Sequence, residues 1–549
     1  MFPLTDLQIA NSDIIRAIDN IKVSASCPKD EIPARVMKEC KATLCKPLRM
    51  LWSSSFEIGK VPKKYKNQLI IPIFKKGSKT MASNYRPIAL TAHSIKIFER
   101  ILRDKLVEYF ERNLFINSNQ HGFRHHHSCA TQLLTHTYFI LSSLVEGFEV
   151  DCVYIDYAKA FDKVDHSILL SKLKHYKLTN KYLMWIKSFL TDRNQVVHNN
   201  GVCSYTAPVL SGVPQGSVLG PLLFIIYIND LPDVINGSEI YTFADDTKIV
   251  SKINSFYDVQ NLQNNLNSVI AWSERNHMKL NNDKFEFINH RSSPVNINCK
   301  LLEALPFCIL TKKSYYASNS FDIPQSFNIK DLGVMVDENL NWKFHIDKMT
   351  KQCKQLSSWV LSVFHTRQKL PMMTIFNSLI RSKLEYCSEV WNPYQLQEIN
   401  KIEQIQRTFT FKICGMQNLN YWKRLNSLGI MSLQRRRERQ IIIHLWKILN
   451  NINPNSSNMN FKYHSRTSAI KSIIKPLPKL RGKVLTLYDE SFTIKSAKLW
   501  NILPPELTTI TNLNKFTTCL DEFLVKTPDK PPIPGYPYLN NNSLTSLCA

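Results

Sequence analysis

The stretch YTFADDTKIV, residues 241–250, sets two adjacent carboxylates, Asp245 and Asp246, between two short apolar, β-branched runs. That is the pattern of a β-hairpin with acids at its turn. Aspartates are common in ordinary turns, so the pair taken alone reads as structural more often than catalytic. Upstream, in VYIDYAKAFDKVDHSIL (153–169), Asp156 closes the apolar run Val153–Ile155 and precedes a helical-looking segment. An isolated Asp there is more often a helix cap. Three carboxylates from separate segments are also the hard oxygen ligands that two divalent ions, about 3.5–4 Å apart, need in order to bracket the attacking and leaving oxygens of phosphoryl transfer.

Between those acids lies LSGVPQGSVLGPLLFIIYINDLP (210–232), where Gly212, Gly216 and Gly220 punctuate a polar loop running into an apolar helix. Glycine there lets a flat base or sugar lie against the main chain, and Gln215 adds an amide that both donates and accepts. The plainer reading is a helix-entry turn packed on the core. The glycine spacing also matches the small-xxx-small pattern of membrane helices, but Gln215, Ser217 and the shortness of LLFIIYI argue against a span.

In this order the segments resemble the reverse transcriptases of non-LTR (LINE-type) retrotransposons, nearest to the jockey group. LIIPIFKKGSKTMASNYRPIAL (69–90) is similar to the fingers motifs, QHGFRHHHSCATQLL (120–134) to the segment before the palm, and YIDYAKAFDKVDHSIL (154–169) to the first catalytic motif. SGVPQGSVLGPLLFIIYINDL (211–231) and FADD (243–246) resemble the template-contacting loop and second catalytic motif. AWSERNHMKLNNDKFEF (271–287) and DLGVMVDENLNWKFHI (331–346) resemble the last palm motif and the primer grip. SLIRSKLEYCSEVWNP (378–393), LQRRRERQIIIHLWKILN (433–450) and SFTIKSAKLWNILPPEL (491–507) are similar to the region beyond the palm.

The resemblance implies an RNA-directed DNA polymerase that extends a primer 3′-hydroxyl with dNTPs. Asp156, Asp245 and Asp246 would hold two Mg²⁺ ions, with Mn²⁺ as an alternative, and the Tyr157 carbonyl would complete the ligand set. Phe161 matches the aromatic that blocks a ribose 2′-hydroxyl; taken alone it reads as a core Phe. Arg86 and the Lys75–Lys76 pair match residues that grip the triphosphate, which suits a forked guanidinium and compact ammonium groups. Gln215 and Gly216 match the template and nucleotide loop. Lys279 and Lys284 both lie near the position of the proton donor to pyrophosphate, and the sequence does not choose between them.

Three features depart from the family pattern. CPKDEIP (27–33) stands where a glycine-containing signature is usual, and Ser128-Cys129 replaces a Ser-Thr pair. FPLTDLQIANSDII (2–15) already resembles the polymerase's own leading segment, so no endonuclease is expected ahead of it. A separate endonuclease or element-encoded RNA-binding protein then joins the RNA template and DNA primer or target among the expected partners. The alternative function is a decayed or domesticated copy that binds nucleic acid without synthesis.

Composition agrees. The 549 residues are 44% hydrophobic and 21% charged, enough for a large core, and the formal charge of +26 calls for a polyanionic partner bound through its phosphates. Basic clusters at Lys60–Lys66, Lys343–Lys354 and Arg435–Arg439 are interleaved with Tyr65, Trp342, Phe344 and Trp359, which suits strand tracking with stacking. Any one cluster alone reads as a solvated helix face. Thirteen cysteines without a C-x-x-C pair point to a reducing compartment without structural zinc, and His125–His127 reads as a surface turn. With neither a secretory signal nor an eighteen-residue apolar span, an intracellular protein of nucleus and cytoplasm, away from membranes, is expected.

The predicted architecture is α+β, a right-hand polymerase fold. Residues 1–60 form a helical extension with Leu44, Leu48 and Leu51 at helical spacing; fingers follow at 61–150 and palm at 151–290. The reverse transcriptase domain as a whole spans about 56–336. Leu262, Leu266, Val269 and Ile270 form the stripe of a helix beneath the catalytic sheet. Residues 291–350 hold an irregular connection, to about 327, and the primer grip; 351–450 form the thumb. Residues 451–549 form a C-terminal region opened by NNINPNSSNMN and closed by a disordered tail.

Overall fold

Helices α1 (Asn11–Asp19), α2 (Ala34–Glu39) and α3 (Lys41–Ile58) lead the chain in. The buried stripe of α3 is Cys45, Leu48, Trp52 and Phe56, so of the three leucines at helical spacing only Leu48 is buried and Leu51 faces solvent. The rings set this rotation: Trp52 stacks on Phe98 and Phe56 meets Tyr182 edge-on. The computed structural model describes residues 2–28, 31–291, 313–453, 459, 461–463, 470–472, 483–527, 529 and 542–547. Much of the expected connection, of the 450–460 opener and of the C-terminal tail lies outside the described residues.

Strands β1 (Asn67–Phe74) and β2 (Tyr85–Leu90) form an antiparallel pair, followed by α4 (His93–Arg112) and α5 (Cys129–Val145). Strand β3 (Glu149–Ile155) precedes α6 (His166–His175) and α7 (Asn180–Leu190). Strands β4 (Arg193–Asn199), β5 (Val202–Cys203) and β6 (Ala207–Val209) then return to the first sheet, β4 running parallel to β1. Residues 193–209, expected within the palm, therefore extend the sheet of residues 67–90. After α8 (Gly220–Ile228) come β7 (Glu239–Phe243), β8 (Asp246–Ile253), α9 (Phe256–Arg275) and β9 (Glu286–His290), which with β3 build a four-stranded antiparallel sheet in the order β7-β8-β3-β9.

The two-residue period of these strands decides what each face does. Val153 and Ile155 of β3, Ile240 of β7, Ile249 of β8 and Phe287 of β9 point into one core, where Leu262, Leu266 and Val269 of α9 cover them as the helical spacing predicts. Val150 and Cys152 of β3, Tyr241, Val250 and Ile288 point into a second core shared with α5 and the C-terminal helices. Asp156 and Asp246 continue this second face at its open end.

The described part of the connection carries one pair of two-residue strands. Strands β10 (Tyr315–Tyr316) and β11 (Asp322–Ile323) pair, and Tyr315 is buried with its hydroxyl donating to Asp151 at 2.5 Å. Strands β12 (Asn328–Asp331) and β13 (Val334–Asp337) form a tight hairpin across Leu332 and Gly333, both at positive φ, and α10 (Lys343–Val363) follows. The helices from Leu396–Phe411 to Leu513–Lys526 close the second core, where Trp446 stacks on Phe516.

Candidate active site

The hairpin read from residues 241–250 is present. Phe243 pairs with Asp246, leaving Ala244 and Asp245 as a two-residue turn whose first position has φ +55°. Asp156 follows β3 directly beside Asp246, since Ile155 pairs with Thr247. It does not cap a helix. That task falls to Asp165, whose carboxylate accepts from Ser167 N and Ile168 N at the start of α6. Asp156 and Asp246 line one cleft of about 340 Å³ with Lys76, Lys248, Lys284 and Asp331.

Negative charge is concentrated here. Burial raises the Asp245 carboxyl above its ordinary value, and Asp156 adds to the shift while Lys75 and Lys284 oppose it. Asp246 is pushed up to about 6 by desolvation, then by Asp245, Asp331 and Asp156. An acid that gives up its proton reluctantly beside two others is short of positive charge, and the donors are hard oxygens, so the residues fit a divalent cation. Among the described residues no group of three or more His, Cys, Asp or Glu side chains is gathered into a metal-holding cluster. Instead Asp156 Oδ2 accepts from Lys284 Nζ at 2.6 Å and from Asn281 Nδ2 at 3.0 Å.

Of the two candidate lysines, then, Lys284 touches a carboxylate; Lys279 is exposed, and its main-chain carbonyl accepts from Ala158 N at 2.8 Å. Tyr157 bridges to Leu280, and the flanking bonds from Ala158 N and Asn281 N leave its own carbonyl turned away from that segment. Lys75 and Lys76 follow the end of β1, and Lys76 lines the cleft. Arg86 projects from β2, opposite Ile73, into solvent and is not among the cleft's lining residues.

The glycine loop packs closely on its protein neighbours. Gly216 has φ +117°, and a Cβ there would stand 2.6 Å from the Ala89 carbonyl oxygen. The close approach is to strand β2, and protein atoms crowd Gly212 and Gly220 likewise. Gln215 is engaged at both ends: its main-chain carbonyl accepts from Ala89 N at 2.7 Å and its side-chain Nε2 donates to Asp162 Oδ1 at 2.9 Å. The loop fastens the first sheet to the turn after Asp156. Phe161, on that turn, is half-buried and stacks on Phe224 of α8, 4.3 Å between centroids, with Phe123 at its edge.

Several residues that matter here were not singled out by the sequence. Glu99 of α4 is buried and accepts from Val218 N at 2.7 Å and Leu219 N at 3.0 Å, capping α8 from a distance. Lys248, two residues after Asp246, is buried in an ion pair with Asp331, which also accepts from Tyr154 at 3.2 Å. The basic clusters divide. Arg435 and Arg437 are buried, Arg436 pairs with Glu385 and Arg439 with Asp521, each through two bonds, so Arg435–Arg439 is an interior network rather than a nucleic-acid track. In Lys60–Lys66, Lys64 pairs with Glu31 and Lys66 with Asp192, and Tyr65 packs against Trp52. Trp342 is buried, but Phe344, Lys348, Lys351 and Trp359 are exposed along α10.

Residues 73–356 match the family model described as "Reverse transcriptase (RNA-dependent DNA polymerase)". That is a little over half of the chain, and the chain belongs to this family. It is 26% identical over 409 residues to the "Probable RNA-directed DNA polymerase from transposon BS" of Drosophila melanogaster, which covers 72% of this chain and 43% of the relative. It is 28% identical over 385 residues to the "RNA-directed DNA polymerase from mobile element jockey" of the same species, covering 67% of this chain and 40% of the relative. The chain thus spans about two fifths of the length of these relatives. A solved structure of apo telomerase from Candida Tropicalis, truncated from its C-terminal domain, aligns over 54% of this chain and 58% of its own at a TM-score of 0.33 and 10% identity. Among the described residues no helix is long and apolar enough to cross a membrane.

Proposed function

We propose that the chain is an RNA-directed DNA polymerase of a non-LTR retrotransposon, extending a primer 3′-hydroxyl on an RNA template with dNTPs. The observation that carries this is the placing of Asp156 and Asp246 on one sheet face, with Asp245 on the adjoining turn, across a cleft from Lys76. Asp156, Asp245 and Asp246 would hold two Mg²⁺ ions, or Mn²⁺, which supply neutralising charge and a more acidic primer hydroxyl. Lys75 and Lys76 draw the triphosphate toward the carboxylates. Phe161, anchored on Phe224, limits space at the ribose. Lys284, bonded to Asp156 Oδ2 at 2.6 Å, would release that carboxylate to a bound cation and stand as the donor to the leaving pyrophosphate. Phe344, Lys348, Lys351 and Trp359 offer the template and primer alternating charge and ring faces.

A separate nicking activity or RNA-binding protein of the same element would supply the primer end and deliver the template, in nucleus and cytoplasm. The test is primer extension on an RNA template with each dNTP omitted in turn. Synthesis that stops where the omitted base is required supports the proposal; binding without any extension favours the non-synthesising nucleic-acid-binding reading.

A further inference from the structure

The turn that carries Asp245 is not self-supporting. Its first position, Ala244 at φ +55°, is one that glycine adopts freely and alanine does not. Segment Asn119–Gly122 lies along it from outside the sheet: Thr242 N donates to the Asn119 carbonyl at 3.1 Å and His121 N to the Thr242 carbonyl at 3.0 Å. Within this segment the buried Gln120 side chain reaches the turn itself. Its Oε1 accepts from Ala244 N at 2.9 Å and from Gly122 N at 2.7 Å. Gly122 makes the approach possible, because a Cβ there would stand 2.3 Å from Ala244 N. Behind it, Arg124 donates to the Gln120 carbonyl at 3.2 Å and the Asn117 carbonyl at 2.9 Å, and grips Glu111 through two bonds. Sequence alone singled out QHGFR as a motif but gave its glutamine no task.

We propose that Gln120 is a positioning residue: its side-chain amide holds the Phe243–Asp246 turn in the conformation that sets Asp246 on the cleft and Asp245 beside it. Its effect on rate rests on the polymerase reading; its effect on the hairpin does not. One acceptor oxygen satisfies two buried amides at once and Nε2 donates to the Ala244 carbonyl at 3.5 Å, so replacing the amide removes all three side-chain bonds.

Gln120→Met keeps the side chain's length while removing its acceptor and donor. The expected result is a kcat for nucleotide addition about 10- to 100-fold lower, as for carboxylates displaced by a fraction of an ångström to an ångström, with the KM for primer–template unchanged. Amide hydrogen exchange at residues 243–247 accelerates while that of α5 and α9 does not. Ala244→Gly, which relieves the turn, restores most of the loss in the Gln120→Met background. Unchanged kcat and exchange in Gln120→Met, or an equal loss with and without Ala244→Gly, overturns the proposal. If the wild-type chain adds no nucleotide, the polymerase reading fails and exchange alone decides the clamp: unchanged protection in Gln120→Met then overturns it. If Gln120→Met does not fold, Gln120→Glu, which keeps an accepting oxygen, is expected to fold with the turn still protected, and fast exchange confined to the turn overturns the clamp.

Discussion

Asp246 is ionised at a cost in the metal-free protein. Its folded pKa of about 6 lies above the ordinary carboxyl value, so the fold favours the neutral form. The stability this residue contributes is therefore full below the ordinary value and is lost as pH rises toward about 6. Asp246→Asn should raise the melting temperature of metal-free protein at pH 7 by a few degrees. Its carboxylate reaches the open cleft, and solvent screening limits the gain to about 1 kcal/mol. Mg²⁺ should stabilise the wild type at pH 7.5 far more than at pH 5, where the proton competes; a pH-independent Mg²⁺ effect, read by thermal melts, would contradict this. At Phe161 the stack on Phe224 keeps the ring fixed, so Phe161→Ala should raise the ribonucleotide to deoxynucleotide ratio of kcat/KM about tenfold or more. An unchanged ratio returns Phe161 to core packing. The three aspartates were legible because each ends or interrupts a β-branched run. The engagement of Asp156 by Lys284 was not, since sequence gives two lysines at similar spacing and no way to weigh them.

At the scale of elements, Lys248 of β8 and Asp331 of β12 join the β7–β8 hairpin to the hairpin across Leu332 and Gly333. Both are buried, so either single change, Lys248→Met or Asp331→Leu, leaves an uncompensated charge and should cost about 3 kcal/mol in urea unfolding. The double variant should be less destabilised than the two singles combined, by about 1 kcal/mol or more. Strict additivity would show that the pair does not couple the hairpins. Local pattern was enough for the β7–β8 hairpin and for α9, whose turn and apolar spacing are self-contained. It was insufficient for Gly216, where the crowding atom belongs to Ala89, and for Arg435–Arg439, whose partners Glu385 and Asp521 come from distant segments of the chain. A charge run does not reveal which carboxylates will meet it.

Across the whole molecule, the sheet β7-β8-β3-β9 separates two cores, and the second runs without a break from α5 to the C-terminal helices. Tyr488, Phe492, Trp500 and Phe516 thus share a core with the sheet, a long-range contact that local sequence pattern does not reveal. With Arg435–Arg439 withdrawn into this interior, the exposed lysines of α10, Lys343, Lys348, Lys351 and Lys354, remain as a basic surface. Lys348→Ala with Lys351→Ala should weaken nucleic-acid binding irrespective of sequence and reduce the salt slope by about 2, measured by titration at several salt concentrations. An unchanged slope would place the track elsewhere.

The most direct measurement compares wild-type protein with Asp245→Ala/Asp246→Ala in extending a primer on an RNA template with dNTPs and Mg²⁺, alongside the affinity of each for that duplex. Extension should fall by about a thousandfold or more, the factor that several kcal/mol of lost transition-state stabilisation gives. Affinity should hold within about threefold, because carboxylates repel phosphates and basic residues carry the binding. Synthesis by the double variant at the wild-type rate would contradict the assignment of these carboxylates.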